Sequence, residues 1–163
     1  MGHWFIAGDR REEYTVEPAP ERWRELRVVN LRCAVESPHG FGTLMRDVPP
    51  APFQATGCRL TAWLRPVDVA SWAGLWARVD GPQEDPASRP PMLAFDNMGD
   101  RPVRGTADWQ RYEVVLDVPR AAVNVAYGVL LVGAGVVSIA GIRLTPAPSG
   151  LRRTGGPLPN SAP

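Results

Sequence analysis

Apolar and polar side chains alternate along most of this chain, with the two-residue period of a strand rather than the 3.6-residue period of a helix. Residues 72–81, WAGLWARVDG, show it most clearly. Ala73, Leu75, Ala77 and Val79 form an ordinary core face. Trp72, Gly74, Trp76, Arg78 and Asp80 form the other face, too polar for a core and too aromatic for a plain solvent surface. WQRYEVVLDVP alternates in the same way, with Tyr112, Val114, Leu116 and Val118 on one side. Further strands are predicted at YTVE, LRVVNLRCAVE, FGTLMRDVP, CRLTAWLRPV, MLAFDN, VNVAYGVLLVG and GVVSIAGIRL. Pro, Gly and Asp punctuate the chain between them. The best helix candidate is PERWRELRVV, and it turns β-branched at Val28 and Val29.

Eight or nine short strands at this spacing predict an all-β fold, a single antiparallel jelly-roll β-sandwich over residues 1–146. Residues 147–163 are rich in Pro, Gly and Ser and carry few large apolar side chains. They are expected to form a disordered tail, because they bury too little to offset their ordering entropy. The apolar run 123–142 has about the length of a membrane span. Gly133, Ala134 and Gly135 divide it into two β-rich halves, so a terminal hairpin is expected instead, with Val129, Leu131, Ile139 and Ile142 in the core.

Composition narrows the function classes. The 163-residue chain is 44% hydrophobic and 21% charged, ordinary for a globular protein. Its net charge of +1 gives no electrostatic case for nucleic acid or an anionic membrane as partner. All 18 basic residues are arginine, which excludes a Schiff-base lysine and a Walker-type phosphate lysine. Cys33 and Cys58 show no CxxC pairing, so no zinc site is expected. Both sit in strand-like apolar runs, so buried free thiols are expected, with a disulfide the alternative if their strands are neighbours. The N-terminus lacks a secretory h-region, and a cytoplasmic protein is expected. Nothing in the pattern specifies an oligomer.

The succession GFGTLM, CRLTAWLR, WAGLWARVDG, LAFDNM, DWQRYEVVLDVP and VSIAGIRL resembles the galactose-binding-like jelly roll of carbohydrate-binding modules. It is similar also to small bacterial β-sandwich domains that recur alone or fused to transcription regulators. The resemblance covers roughly residues 4–144. It implies the fold and a ligand on the concave sheet. Such modules often carry an aspartate near a structural calcium in their last strand. VSIAGIRL has no acid, so no metal is expected.

The mixed face of residues 72–81 carries the candidate chemistry. Trp72 and Trp76 offer stacking surfaces to a ring, and Arg78 and Asp80 offer charge-assisted hydrogen bonds. FDNMGDRP adds Asp96 and Met98. If Phe95 enters the core, Asp96 joins Arg78 and Asp80 on the sheet surface, where the three form a candidate catalytic acid–base set. Asn97, Gly99 and Asp100 read as a turn. Met98, Trp4 and His39 complete the ligand-binding candidates, although a loop histidine is ordinarily solvated and Trp4 equally suits a seal at the end of the sandwich. Trp109 reads as core. No GxSxG, GxGxxG, HExxH or EF-hand pattern occurs, so no cofactor is expected. The expected function is binding of a small carbohydrate-like or secondary-metabolite molecule. The alternative is a cofactor-free cyclase or isomerase using an Asp/Arg acid–base pair. A third reading is a protein-interaction module with the Trp-rich face as its patch.

Overall fold

The computed structural model describes residues 2–155, and residues 156–163 of the expected tail lie outside the described residues. Eleven strands form: β1 (Phe5–Ala7), β2 (Tyr14–Trp23), β3 (Leu26–Cys33), β4 (Phe41–Val48), β5 (Cys58–Val67), β6 (Val69–Asp80), β7 (Met92–Asp96), β8 (Val103–Gly105), β9 (Gln110–Leu116), β10 (Asn124–Val132) and β11 (Val136–Pro146). They make two antiparallel sheets. The first has the order β1-β4-β10-β6-β7, with β8 also paired to β6; the second has the order β2-β3-β11-β5-β9. The two sheets pack face to face as the expected β-sandwich. The count exceeds nine because β1 and β8 span only three residues each, too short to show an alternation.

The core lies between the sheets. Leu75, Ala77 and Val79 of β6 meet Leu60, Leu64, Val114, Leu116, Val129, Leu131 and Ile139 there, and Ile142 packs partly buried against them. Each large apolar side chain buried this way contributes about 1.5–3 kcal/mol. Tyr14 plugs one end. Its hydroxyl lies 2.9 Å from the carbonyl oxygens of both Gly40 and Gly133. Burial first, then nearby negative charge, pushes its pKa up to about 12.

Two expectations change, and the disulfide alternative falls away. The helix candidate PERWRELRVV is the β2–β3 hairpin: Trp23 pairs with Leu26, and Arg24 and Glu25 form the turn with φ of 47° and 65°. Two successive left-handed residues match the right-handed twist of the flanking strands. The apolar run 123–142 is not a hairpin. β10 pairs with β4 and β6 while β11 pairs with β3 and β5, so residues 133–135 carry the chain across the sandwich from one sheet to the other. Each half is central in its sheet, which explains why both are apolar on consecutive residues. β11 also separates β3 from β5, so Cys33 and Cys58 are not on neighbouring strands, and both are free thiols.

The expected disordered tail is ordered over residues 147–155. Ala147 is buried and its N–H donates to the Gly57 carbonyl. Thr154 bonds Val115 in both directions, through its own N–H and through its hydroxyl as acceptor. Arg153 reaches the Asp117 carboxylate and the Thr56 carbonyl. Backbone and polar contacts hold this segment, which an apolar pattern does not register. No described helix is long and apolar enough to cross a membrane.

Candidate functional site

β6 runs through the middle of the first sheet, and its alternation puts Trp72, Trp76 and Arg78 on the sheet's outer face. Directly opposite Trp76 in the register is Gly128 of β10, whose own other neighbour is Met45 of β4. Phe95 of β7 lies opposite Arg78, and Ala7 of β1 opposite Thr43. All of these but Gly128 line a cavity of about 430 Å³ together with Gly8, Phe41, Asn97, Leu130 and Val132. Its wall is mostly apolar and aromatic, with a few polar groups, as ligand pockets are.

Trp76 is the floor. It is only 7% exposed and packs with Met45, Ala126 and Leu130. Its indole N–H donates to Thr43 Oγ1 at 2.7 Å, and that hydroxyl donates in turn to the Val129 carbonyl at 2.8 Å. The floor's polar atoms are therefore satisfied internally. Trp72 is half-buried and offers the accessible aromatic surface. Arg78 holds Asp80 through Nε at 2.6 Å and Nη2 at 3.2 Å. Asn124 donates to the same carboxylate at 3.0 Å and to Asp47 at 2.9 Å. This partly buried network fixes the guanidinium, and Nη1 makes no hydrogen bond among the described residues. Asn97 Oδ1 accepts the Gly99 N–H, as its expected turn role requires, and its amide nitrogen makes no hydrogen bond within the described residues.

The other candidates lie elsewhere. Asp96 does not join Arg78, because the phase of β7 is the reverse of that expected. Phe95 faces the pocket, and Asp96 pairs across from Ala77, whose side chain is in the core. Asp96 is 8% exposed and bonds Arg101 at 2.6 Å and the Met98 N–H at 3.0 Å. Burial opposes its ionisation, but hydrogen bonds from Arg101, Thr154 and Met98 outweigh it and hold its pKa below the usual carboxylate value. Asp80 stands behind Arg78 and does not line the cavity. The acid–base set Asp96, Asp80 and Arg78 is thus not assembled.

Met98 is a core residue rather than a ligand contact. It sits at φ 62°, fully buried, and its sulfur accepts the Leu75 N–H at 3.2 Å in the gap on β6 between β7 and β8. Trp4 meets Tyr127 edge-on at 5.5 Å, with Arg46 over its ring, and is exposed outside the pocket. His39 is 72% exposed beside Glu13, outside the pocket. Trp109 is not core. It stacks on Trp23 at 5.3 Å on the outer face of the second sheet.

Sequence reasoning did not single out Phe41, Thr43, Met45, Phe95 or Asn97 for the pocket. Its signal was present in FGTLM, where Phe41, Thr43 and Met45 alternate with the buried Gly42 and Leu44.

No family model matches the chain. Over 97 residues it is 36% identical to the Bacillus subtilis (strain 168) protein YbfP, an uncharacterised HTH-type transcriptional regulator. The match takes in 60% of this chain and 31% of the regulator, so the chain spans less than a third of that relative. The solved structures it resembles are β-sandwich modules. The carbohydrate-binding module TmCBM61, in complex with β-1,4-galactotriose, aligns at TM-score 0.50 and 17% identity over 88% of each chain. A family 16 carbohydrate-binding module aligns at TM-score 0.56 and 15% identity, over 85% of this chain and 92% of the module. The Clostridium thermocellum xylanase 10B CBM22-1–GH10 structure, complexed with xylohexaose, aligns at TM-score 0.58 and 11% identity, over 89% of this chain and 26% of that one. Identities this low show a shared fold.

Proposed function

We propose that the protein is a small-molecule-binding module and that its ligand, a carbohydrate-like ring, enters the pocket above Trp76. The observation that carries this reading is the pocket itself: half-buried Trp72 beside Phe41 and Phe95, with the fixed Arg78 guanidinium and the Asn97 amide converging on one 430 Å³ space. A ring presents apolar C–H faces to indole and hydroxyl acceptors to guanidinium and amide, so both halves of the lining have a use. Carbohydrate-binding modules among the structural neighbours support the same class of ligand. The lining offers stacking surfaces and hydrogen-bond donors and no Asp, Glu or His, which favours binding over the cyclase alternative.

Calorimetry with a panel of neutral mono- and oligosaccharides, including β-1,4-galactotriose and xylohexaose, tests the reading. At least one should bind, and Trp72→Ala should weaken it by about 2 kcal/mol, as aromatic anchors do. A panel without binding, or binding untouched by Trp72→Ala, would sink the proposal. The match to an HTH-type regulator favours one context for such a module, the sensing part of a longer regulatory chain.

A further inference from the structure

The opposite sheet carries a second recess in which the sugar-binding reading has no part. In β11 the pairing with β5 slips between Ala140 and Arg143, so Gly141 and Ile142 face the single residue Ala62. Gly141 adopts φ +61°, and a Cβ there would press on the Leu26 side chain at 2.8 Å. This bulge leaves a notch of about 290 Å³ lined by Leu26, Thr61, Trp63, Arg111, Gly141 and Arg143. Bulges of this kind often re-aim side chains at binding sites.

The register fixes which face the notch opens on. Trp63 is opposite Arg111, and Thr61 is opposite Arg143, so all four side chains project from one side of the second sheet. Leu60, Ala62 and Leu64 take the other side, in the core. The notch therefore opens outward, with the core separating it from the Trp76 pocket.

Its charge is one-signed. Arg111 and Arg143 make no ion pair or side-chain hydrogen bond among the described residues, and neither does Arg24, which stacks over the Trp63 ring at 4.7 Å. The acid opposite Thr61 is Glu113, and Arg59 binds it at 2.8 Å. A second basic residue of this face, Arg65, is likewise held by Glu21 at 2.9 Å. The neighbouring charges are neutralised in pairs, and the notch keeps two free guanidiniums beside an indole and a leucine.

We infer that this notch binds a small organic anion, an oxyanion group carried on a flat apolar ring. The guanidiniums take the oxyanion through forked hydrogen bonds, and Trp63 and Leu26 take the ring. The volume suits one ring with its substituent and not a polymer chain.

The test uses 1-naphthoate and its neutral counterpart 1-naphthalenemethanol, titrated into the ¹⁵N-labelled protein. The naphthoate should shift the Gly141 amide and the Trp63 indole N–H and leave the Trp76 indole unmoved. It should bind about ten-fold tighter than the alcohol, since the charge-assisted bonds are lost with the charge. Added salt should narrow that gap. The Arg111→Gln/Arg143→Gln variant should erase the preference. Equal affinity for the alcohol in the wild-type protein would overturn the inference without recourse to any variant. So would shifts confined to the Trp76 pocket, or a short oligothymidylate that moves the same resonances at lower concentration. Because the pocket and the notch are read by different indoles, failure here is distinguishable from failure of the sugar-binding proposal.

Discussion

Thr43 holds the buried end of Trp76, and this one hydroxyl decides how rigid the pocket floor is. Thr43→Val keeps the shape and removes the acceptor, leaving the indole N–H unpaired. The expected loss is about 1–3 kcal/mol of stability in urea unfolding, as for other orphaned buried donors. Asp96 supports the structure through charge rather than chemistry. Its folded pKa lies below the ordinary 3.8, so its stabilisation is complete above that value and is lost as pH falls below it. Melting temperature measured from pH 6 to about pH 2 should therefore drop less steeply for Asp96→Asn than for the wild type, with the variant already less stable at neutral pH. An unchanged slope would mean that the Arg101 contact does not persist in solution. The placement of Trp72, Trp76 and Arg78 was legible from alternation, because β6 is long and its two faces differ sharply. Asp96 was not. β7 has only five residues, and the rule that Phe turns inward and Asp outward fails when an arginine 2.6 Å away satisfies a buried carboxylate.

At the scale of elements, alternation locates strands well and reports poorly on what they pair with. Leu131 was legible as core and is fully buried on β10. Leu131→Ala should cost about 2–5 kcal/mol in chemical denaturation, the usual effect of a large-to-small core change. A loss under about half a kcal/mol is a surface value and would contradict the burial. The crossing from β10 to β11 was not legible, since a Gly-Ala-Gly turn between two apolar halves suits a hairpin as well as a crossover. Only the identity of the partners, β4 and β6 against β3 and β5, separates the two, and those contacts are remote in sequence. Residues 20–29 misled for a related reason. Arginine and glutamate favour helix locally, yet Trp23 is held by Trp109 and Trp63, far along the chain.

At the scale of the whole molecule, residues 151–155 act as a strap across the open edge between the two sheets. Thr154 adds to β9 at Val115 through its backbone N–H and its hydroxyl, and Gly155 passes beside Asp96 at the end of β7. A Cβ at Gly155 would strike the Phe95 carbonyl oxygen at 2.5 Å and the Leu116 side chain at 2.7 Å, so the backbone passes through a slot that only glycine fits. Because Phe95 and Asn97 wall the pocket, the strap lies against one side of it through Gly155 and Phe95. Composition alone suggested a disordered tail over residues 147–163 that is dispensable from residue 150 on; the contacts of residues 151–155 predict otherwise. A chain ending at Gly155 should melt with the full-length protein. A chain ending at Gly150 loses the two Thr154 bonds to Val115 and the Arg153 bonds to Asp117 and Thr56. It should lose about 2 kcal/mol, from four partly exposed hydrogen bonds at about 0.5 kcal/mol each. For a chain of this size that lowers the melting temperature by about 4–8 °C. The difference between the two truncations in calorimetry is the contribution of residues 151–155 alone. Identical transitions would show that the strap contributes nothing, and Asp96 would then rest on Arg101 and Met98 alone.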